Sequence, residues 1–389
     1  MLSNQCERAI TDALKYGNAL LKFISANDSG ETGGHQAGFY LPRPMWKMFT
    51  PHPPTLKHNA KHEIVILWPD GTPTNSVVTW YGAAKSEYRL TRFGKDFQWL
   101  SPEMVGDLLV LIRKSASEFI AYILSTDEEI AEIQAALGLE IGQSWAAYPF
   151  NGLPKAESPN RCIERQFREY ASRLEDFPTT TEMSEATRKA IEKCIRLFRE
   201  APFDDQLVQL IESEYDLFKM IETHICLPQI SHKFAAIDEF IEAASSIMNR
   251  RKARAGRSLE NHFAVILGNA AIPFDQRVRI DGAVEPDILI PGKRAYEDSQ
   301  YPAEKLCLLG LKTTCKDRWR QVLNEGQRVK KKHILTLQKG ISVNQLNEMH
   351  DSGITLVVPT EYQKFYPRTS RISILTVGKF MDSIKRLLV

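Results

Sequence analysis

Apolar and polar positions along the chain change their period near residue 150. Upstream, short runs rich in β-branched and aromatic residues read as strands: His62–Trp68 (HEIVILW), Ser76–Tyr81 (SVVTWY) and Phe119–Leu124 (FIAYIL). Turn residues such as Pro69-Asp70-Gly71-Thr72-Pro73 separate them. Asp127–Leu137 (DEEIAEIQAAL) predicts a helix capped by Ser125 or Thr126. Pro, Gly, Asn and Ser then concentrate in Tyr148–Arg161, the best candidate for a domain boundary. Downstream, helical periodicity covers Ser184–Phe198, Asp205–Thr223 and His232–Arg250; in the last, Phe234, Ile237, Ile241, Ala244 and Met248 share a face. Strand-like segments follow at Asp287–Ile290, Lys305–Leu311, His333–Leu337 and Ile354–Val358, with helical stretches between them. The pattern predicts a β-rich domain over 1–150, a linker over 151–171, and an α/β domain with a mixed central sheet over 172–389.

Composition adds little to this and excludes some classes. The chain has 389 residues, 43% hydrophobic and 25% charged, enough for two ordinary globular cores. It has no run of about 18 apolar residues, so no membrane span is expected. Glu7, Asp12 and Lys15 within the first amphipathic stretch argue against a signal peptide, and a cytoplasmic location is expected. The six cysteines form no CxxC pair, and buried free thiols explain them better than disulfides or zinc. Net charge is only +2, so an argument for nucleic acid rests on local clusters. Arg250, Arg251, Lys252, Arg254 and Arg257 form one, with Arg251 and Arg254 as candidate phosphate contacts. Arg328, Lys330, Lys331 and Lys332 form another, which reads equally well as a solvated face.

Candidate chemistry lies in the second half. Asp287 opens an apolar strand, Lys312 ends another, Glu260 lies on a helix upstream, and Glu325 lies on the helix that follows Lys312. Phosphodiester hydrolysis needs carboxylates that converge on a hard cation, and it benefits from a lysine near the reacting phosphate. The usual nuclease pattern carries an acid two residues before the lysine; that position here is Gly310, so a strict motif fails. Capping or a surface salt bridge is the alternative for Glu260, and a solvent-facing helical position is the alternative for Glu325.

The segment after Lys312, KTTCKDRWRQVLNE, together with Ser258-Leu259-Glu260 and Pro286-Asp287, resembles the EcoRII-type (type IIE) branch of the PD-(D/E)xK restriction endonucleases. The resemblance continues through RRKARAGRSLE (Arg250–Glu260), TLQKGIS (Thr336–Ser342) and SGITLVVP (Ser352–Pro359), and into the first half at SANDSGETGGHQAGFYLP (Ser25–Pro42) and EYRLTRFG (Glu87–Gly94). It implies that Asp287 and Glu325 hold Mg²⁺, that Lys312 is the catalytic lysine, and that Glu260 is a further acidic group of the site. It also implies a homodimer cutting double-stranded DNA at 5′-CCWGG, with an accompanying cytosine methyltransferase in the same system.

The resemblance further implies that Lys316, Asp317 and Arg318 reach base edges in the major groove; the chemistry agrees, since the cations suit guanine and the carboxylate suits the cytosine amino group. A salt bridge at a helix N-terminus explains them otherwise. The first half resembles the family's effector-binding β-pseudobarrel, which implies that it binds a second copy of the target and restrains the catalytic domain. In an extended segment Lys85, Glu87 and Arg89 share a face and repeat the cation–carboxylate–cation pattern, although a cross-strand salt bridge would serve as well. Lys22, His35 and Tyr40 lie in or beside the other block; His35 has no companion at metal-ligand spacing. The rival functions are a DNA-binding protein without cleavage and a modification-dependent nuclease.

Overall fold

The computed structural model describes residues 3–30, 37–83, 85–95, 97–142, 144–149, 161–282, 284–330, 332–368 and 372–388. It divides into two compact units. One comprises Met1–Ala156 with two later stretches, Gln338–Glu348 and Tyr362–Arg371; the other holds the rest.

The first unit begins with α1 (Asn4–Tyr16), capped by the Ser3 side chain and stopped by Gly17 in the left-handed conformation. Strands β1 (Ala19–Phe23) and β2 (Phe39–Leu41) precede a short helix, α2 (Trp46–Phe49). Then come β3 (Asn59–Leu67), β4 (Pro73–Tyr81), β5 (Tyr88–Thr91), β6 (Leu108–Arg113), β7 (Glu118–Leu124), α3 (Asp127–Leu137) and β8 (Trp145–Tyr148). The eight strands form one mixed sheet in the order β2-β5-β4-β3-β7-β6-β1-β8, with β3 and β7 parallel. Of the two expected caps for α3, Thr126 is the one used, in a reciprocal capping box with Glu129. β1 (ALLKF) and β6 (LLVLIR) escaped the pattern reading because they do not alternate. Both of their faces are covered: Leu20, Leu109 and Leu111 enter one core, while Leu21, Phe23, Leu108, Val110 and Ile112 pack with α1 and α3 in another.

The second unit opens with four helices: α4 (Arg161–Ala171), α5 (Thr180–Cys194), α6 (Phe203–Ser231) and α7 (Ile237–Asn269). The described part of the expected linker, from Arg161 on, is thus helical, and 151–160 lie outside the described residues. Next come β9 (Asp275–Gln276), β10 (Ile288–Ile290), α8 (Lys293–Glu297), β11 (Cys307–Lys312), α9 (Trp319–Leu323) and β12 (Lys332–Thr336). α10 (Val343–Asp351), β13 (Ile354–Val357), β14 (Ile374–Leu375) and α11 (Val377–Leu388) complete the chain. The sheet runs β14-β13-β12-β11-β10-β9, parallel from β14 to β11 and antiparallel from β11 to β9, so it is mixed as expected.

Two expectations are corrected. Cys162 and Cys194 form a disulfide, because α4 and α5 bring their Cα atoms within 5.7 Å; the other four cysteines are buried and outside any disulfide. The apolar stripe at the start of α7 does not pack into a core: Ile237 is 79% exposed and Ile241 53%. Its neighbours Phe240, Leu227 and Ile230 are exposed too. Among the described residues no helix is long and apolar enough to cross a membrane.

Candidate active site

Antiparallel pairing of β10 with β11 sets the site. Ile288 lies opposite Leu309, so extending that register by one residue puts Asp287 opposite Gly310. Residues opposite each other share a sheet face, as do residues two apart on one strand. Asp287 and Lys312 therefore meet: the Lys312 Nζ donates to Asp287 Oδ2 at 2.9 Å, and the Leu311 amide donates to the same oxygen at 2.7 Å.

Glu325 completes the group from outside the sheet. It lies just past α9 rather than on it, because Asn324 closes the helix and Gly326 follows with φ +62°, a left-handed turn that glycine adopts without strain. The Glu325 amide donates to the Val322 carbonyl at 3.2 Å. Burial pushes its carboxyl up to about 7; the charge of Asp287 adds to this, while Lys312 and Lys332 oppose it. Its Oε2 is buried with no hydrogen-bond donor among the described residues. A carboxylate in that position is stabilised either by a proton or by a cation.

Lys332, a member of the second basic cluster, is buried, and its ammonium donates to the Leu323 carbonyl at the end of α9. Period-two alternation extended one residue before His333 would have turned it inward. Arg328, from the same cluster, donates to the carbonyls of Ala295, Tyr296, Asp298 and Tyr301, so its role is to close the loop after α8.

Other candidates are placed differently. Glu260 is ion-paired to Arg277, and to Arg257 at 3.6 Å. Arg254 is a correction: it is 4% exposed, with its guanidinium over the rings of Tyr215 and Phe218, so it packs α7 on α6 rather than reaching a phosphate. Arg251 pairs with Glu222 through a 3.0 Å Nη2–Oε2 hydrogen bond. Lys316, Asp317 and Arg318 precede α9 instead of lying on it; Lys316 is buried, while Asp317 and Arg318 are exposed.

In the first unit, Lys22 is buried against Asp28, which also accepts from the Ser25 amide and hydroxyl and the Tyr40 amide. Tyr40 donates its hydroxyl to Glu87 at 2.7 Å, and Arg89 donates to the other Glu87 oxygen at 3.1 Å. Glu87 and Arg89 are buried. Lys85 does not share their strand face: Ser86 has φ +51° and breaks the extension, leaving Lys85 exposed in the preceding turn. His35 lies outside the described residues.

Asp287 and Lys312 thus sit paired on neighbouring strands of a mixed sheet, with Glu325 in the turn after α9. Residues 218–381 match the family model described as EcoRII C terminal, and residues 14–142 match restriction endonuclease EcoRII, N-terminal. The chain is 31% identical over 386 residues to the type II restriction enzyme EcoRII of Escherichia coli, covering 94% of each. It is 25% identical over 159 residues to the type II restriction enzyme SsoII of Shigella sonnei, covering 38% of this chain and 50% of that enzyme. Among solved structures, a PspGI–substrate DNA complex gives TM-score 0.44 at 16% identity, covering 55% of this chain and 93% of that one. Metal-depleted Ecl18kI with uncleaved, modified DNA gives 0.46 at 19%, covering 57% and 83%. The protein is a type II restriction endonuclease, a site-specific deoxyribonuclease. It belongs to the EcoRII family.

Glu325 makes stability depend on pH. Its carboxyl ionises near the ordinary 4.5 when the chain unfolds and near 7 when folded, so the folded state holds an extra proton between these values. Stability therefore falls as pH rises through that window. In metal-free buffer Glu325→Gln should melt with wild type at pH 4.5 and increasingly above it up to pH 7.5. A gap in melting temperature that stays constant with pH would refute this.

Proposed function

We propose that the chain is a Mg²⁺-dependent PD-(D/E)xK endonuclease that cuts both strands of a short palindromic DNA site, 5′-CCWGG, as a homodimer. The observation that carries this reading is the half-buried Glu325 carboxylate beside the Asp287–Lys312 pair, with one buried oxygen that has no donor among the described residues. Asp287 and Glu325 would hold the ion. Two carboxylates suit magnesium, which takes its remaining ligands from water and phosphate oxygens. When bound, the ion supplies charge neutralisation at the phosphate and lowers the pKa of a bound water. Lys312, fixed by Asp287, offsets negative charge gathering on the phosphoryl oxygens. Glu260 orders the neighbouring arginines Arg257 and Arg277. Asp317 and Arg318, exposed just before α9, would meet cytosine and guanine edges.

Purified protein, Mg²⁺ and unmethylated phage DNA should yield discrete fragments. Glu325→Gln and Lys312→Ala should cut about a thousandfold more slowly while still shifting a CCWGG duplex in a gel. A specific shift without cutting by the wild type would mark a binding protein, and fragments from modified DNA alone a modification-dependent nuclease.

The homodimer reading rests on the exposed apolar end of the α6–α7 pair, where Leu227, Ile230, Ile237, Phe240 and Ile241 are each about half exposed or more. A palindromic target calls for two-fold symmetry, and an unpacked apolar face of this kind suits a second copy. Ile237→Asp with Phe240→Asp should convert a dimer to monomers in sedimentation and leave single-strand nicks in place of double-strand cuts. A wild-type sedimentation rate for this variant would rule that surface out.

The first unit is proposed to be a pseudobarrel that binds a second copy of the site and restrains cleavage. Supporting the pseudobarrel, one apolar cluster draws side chains from all eight strands. Supporting the restraint, this unit includes Gln338–Glu348 and Tyr362–Arg371, which flank β13 along the chain. Within it the Gln338 side chain donates to the Gly106 carbonyl at 2.9 Å and Asn344 donates to Glu103. Gln338→Ala with Asn344→Ala should raise cleavage of single-site DNA roughly fivefold, about 1 kcal/mol of lost hydrogen bonding. Unchanged single-site cleavage would count against restraint through these contacts. A cytosine methyltransferase is expected to accompany the enzyme.

A further inference from the structure

We propose that Gly310 is a positioning residue of the cleavage site: the absence of a side chain there leaves a notch that Val322 fills, and that seating carries Glu325 to Asp287 and Lys312. The proposal rests on the reading of Glu325 given above.

Gly310 occupies ordinary backbone geometry in the middle of β11, so nothing in its dihedral angles calls for glycine. Space does. A Cβ at this position would lie 2.7 Å from Val322 Cγ2, 3.7 Å from its Cγ1 and 3.8 Å from Ile334 Cγ1. Carbon atoms settle at about 3.5–4.0 Å, so even one methyl group requires a retreat of about 1 Å. Val322 has little freedom to turn aside, because a β-branched side chain on a helix strongly favours one rotamer. It is fully buried, as is Ile334 on β12. The retreat must therefore be made by α9, which is five residues long.

Glu325 follows Val322 by three residues and donates its amide to the Val322 carbonyl, so it moves with the helix. The Lys332 ammonium holds the carbonyl of Leu323, the residue after Val322, so a push at Val322 is passed to the turn that carries Glu325. The sheet position that would carry an acid in the usual motif and the helix that replaces it thus compete for one volume. This chain leaves the volume to Val322.

The test uses full-length Gly310→Ala and the double variant Gly310→Ala with Val322→Ala. Three quantities are measured: Mn²⁺ affinity by calorimetry, single-turnover cleavage, and gel shift of the target duplex, each beside a thermal melt. Gly310→Ala should melt cooperatively and shift DNA as wild type does, while binding Mn²⁺ about tenfold more weakly and cutting about 10- to 100-fold more slowly, the scale of a 1 Å misplacement. The double variant should recover most of both losses. Wild-type values for Gly310→Ala, a double variant no better than the single, or failure of both to fold would each overturn the proposal. Glu325→Gln separates the two readings. If it cuts at the wild-type rate, the carboxylate assignment fails; if it is inactive while Gly310→Ala is normal, only the notch fails.

Discussion

The ion pair between Lys312 and Asp287 is the constraint around which the candidate site of the second unit is arranged. It exists because β10 and β11 run antiparallel in a register that puts Asp287 opposite Gly310, with Lys312 two residues further on the same face. The Leu311 amide fixes the shared oxygen, so the pair has little freedom to rotate. Everything else at the site approaches this fixed point: Glu325 through the turn after α9, and Lys332 from β12. A rigid pair on a sheet, with a separate element bringing the third group, gives a site whose geometry depends on one short helix.

The helical layer shows how much charge can be consumed by packing. His262 and Glu214 meet at 2.8 Å with neither exposed. Burial drives His262 toward its neutral form; burial alone would raise the Glu214 carboxyl, but bonding from His262, Ser184 and Ser258 outweighs it. Glu222 holds Arg251 and Lys219, while Arg250 lies over the Phe177 ring. Breaking such buried pairs costs about 3–5 kcal/mol, because the remaining charge is left without a partner. Most of the arginines in the first basic cluster are thus bound to this layer, and Lys252 and Arg257 are its outward-facing members.

A similar economy governs the first unit. Asp28 is completely buried and accepts from Lys22, Ser25 and the Tyr40 amide, which ties the end of β1 to β2. Tyr40 on β2, Arg89 on β5 and Glu87 just before β5 form one cluster. Charged residues that look like a reading surface in the sequence are satisfied by one another in the fold. Contact with a nucleic acid through Glu87 and Arg89 would require that cluster to exchange partners.

The sequence by itself determined β3, β4, β7 and β10 to β13, the long helices, and the positions of Asp287 and Lys312, because strands and their ends follow from local alternation and from polar residues that close apolar runs. Glu325 became legible through the family resemblance alone, since the motif position is Gly310 and no local spacing connects that glycine with a residue fifteen places away. Tertiary structure decided what periodicity cannot: which face of an element is covered. It buried Arg254, Glu87 and Lys332, left the apolar stripe of α7 uncovered, joined Cys162 to Cys194, and set Val322 into the space that Gly310 leaves. The physical reason is that burial and pairing depend on the partner surface, and that surface comes from parts of the chain far away in sequence.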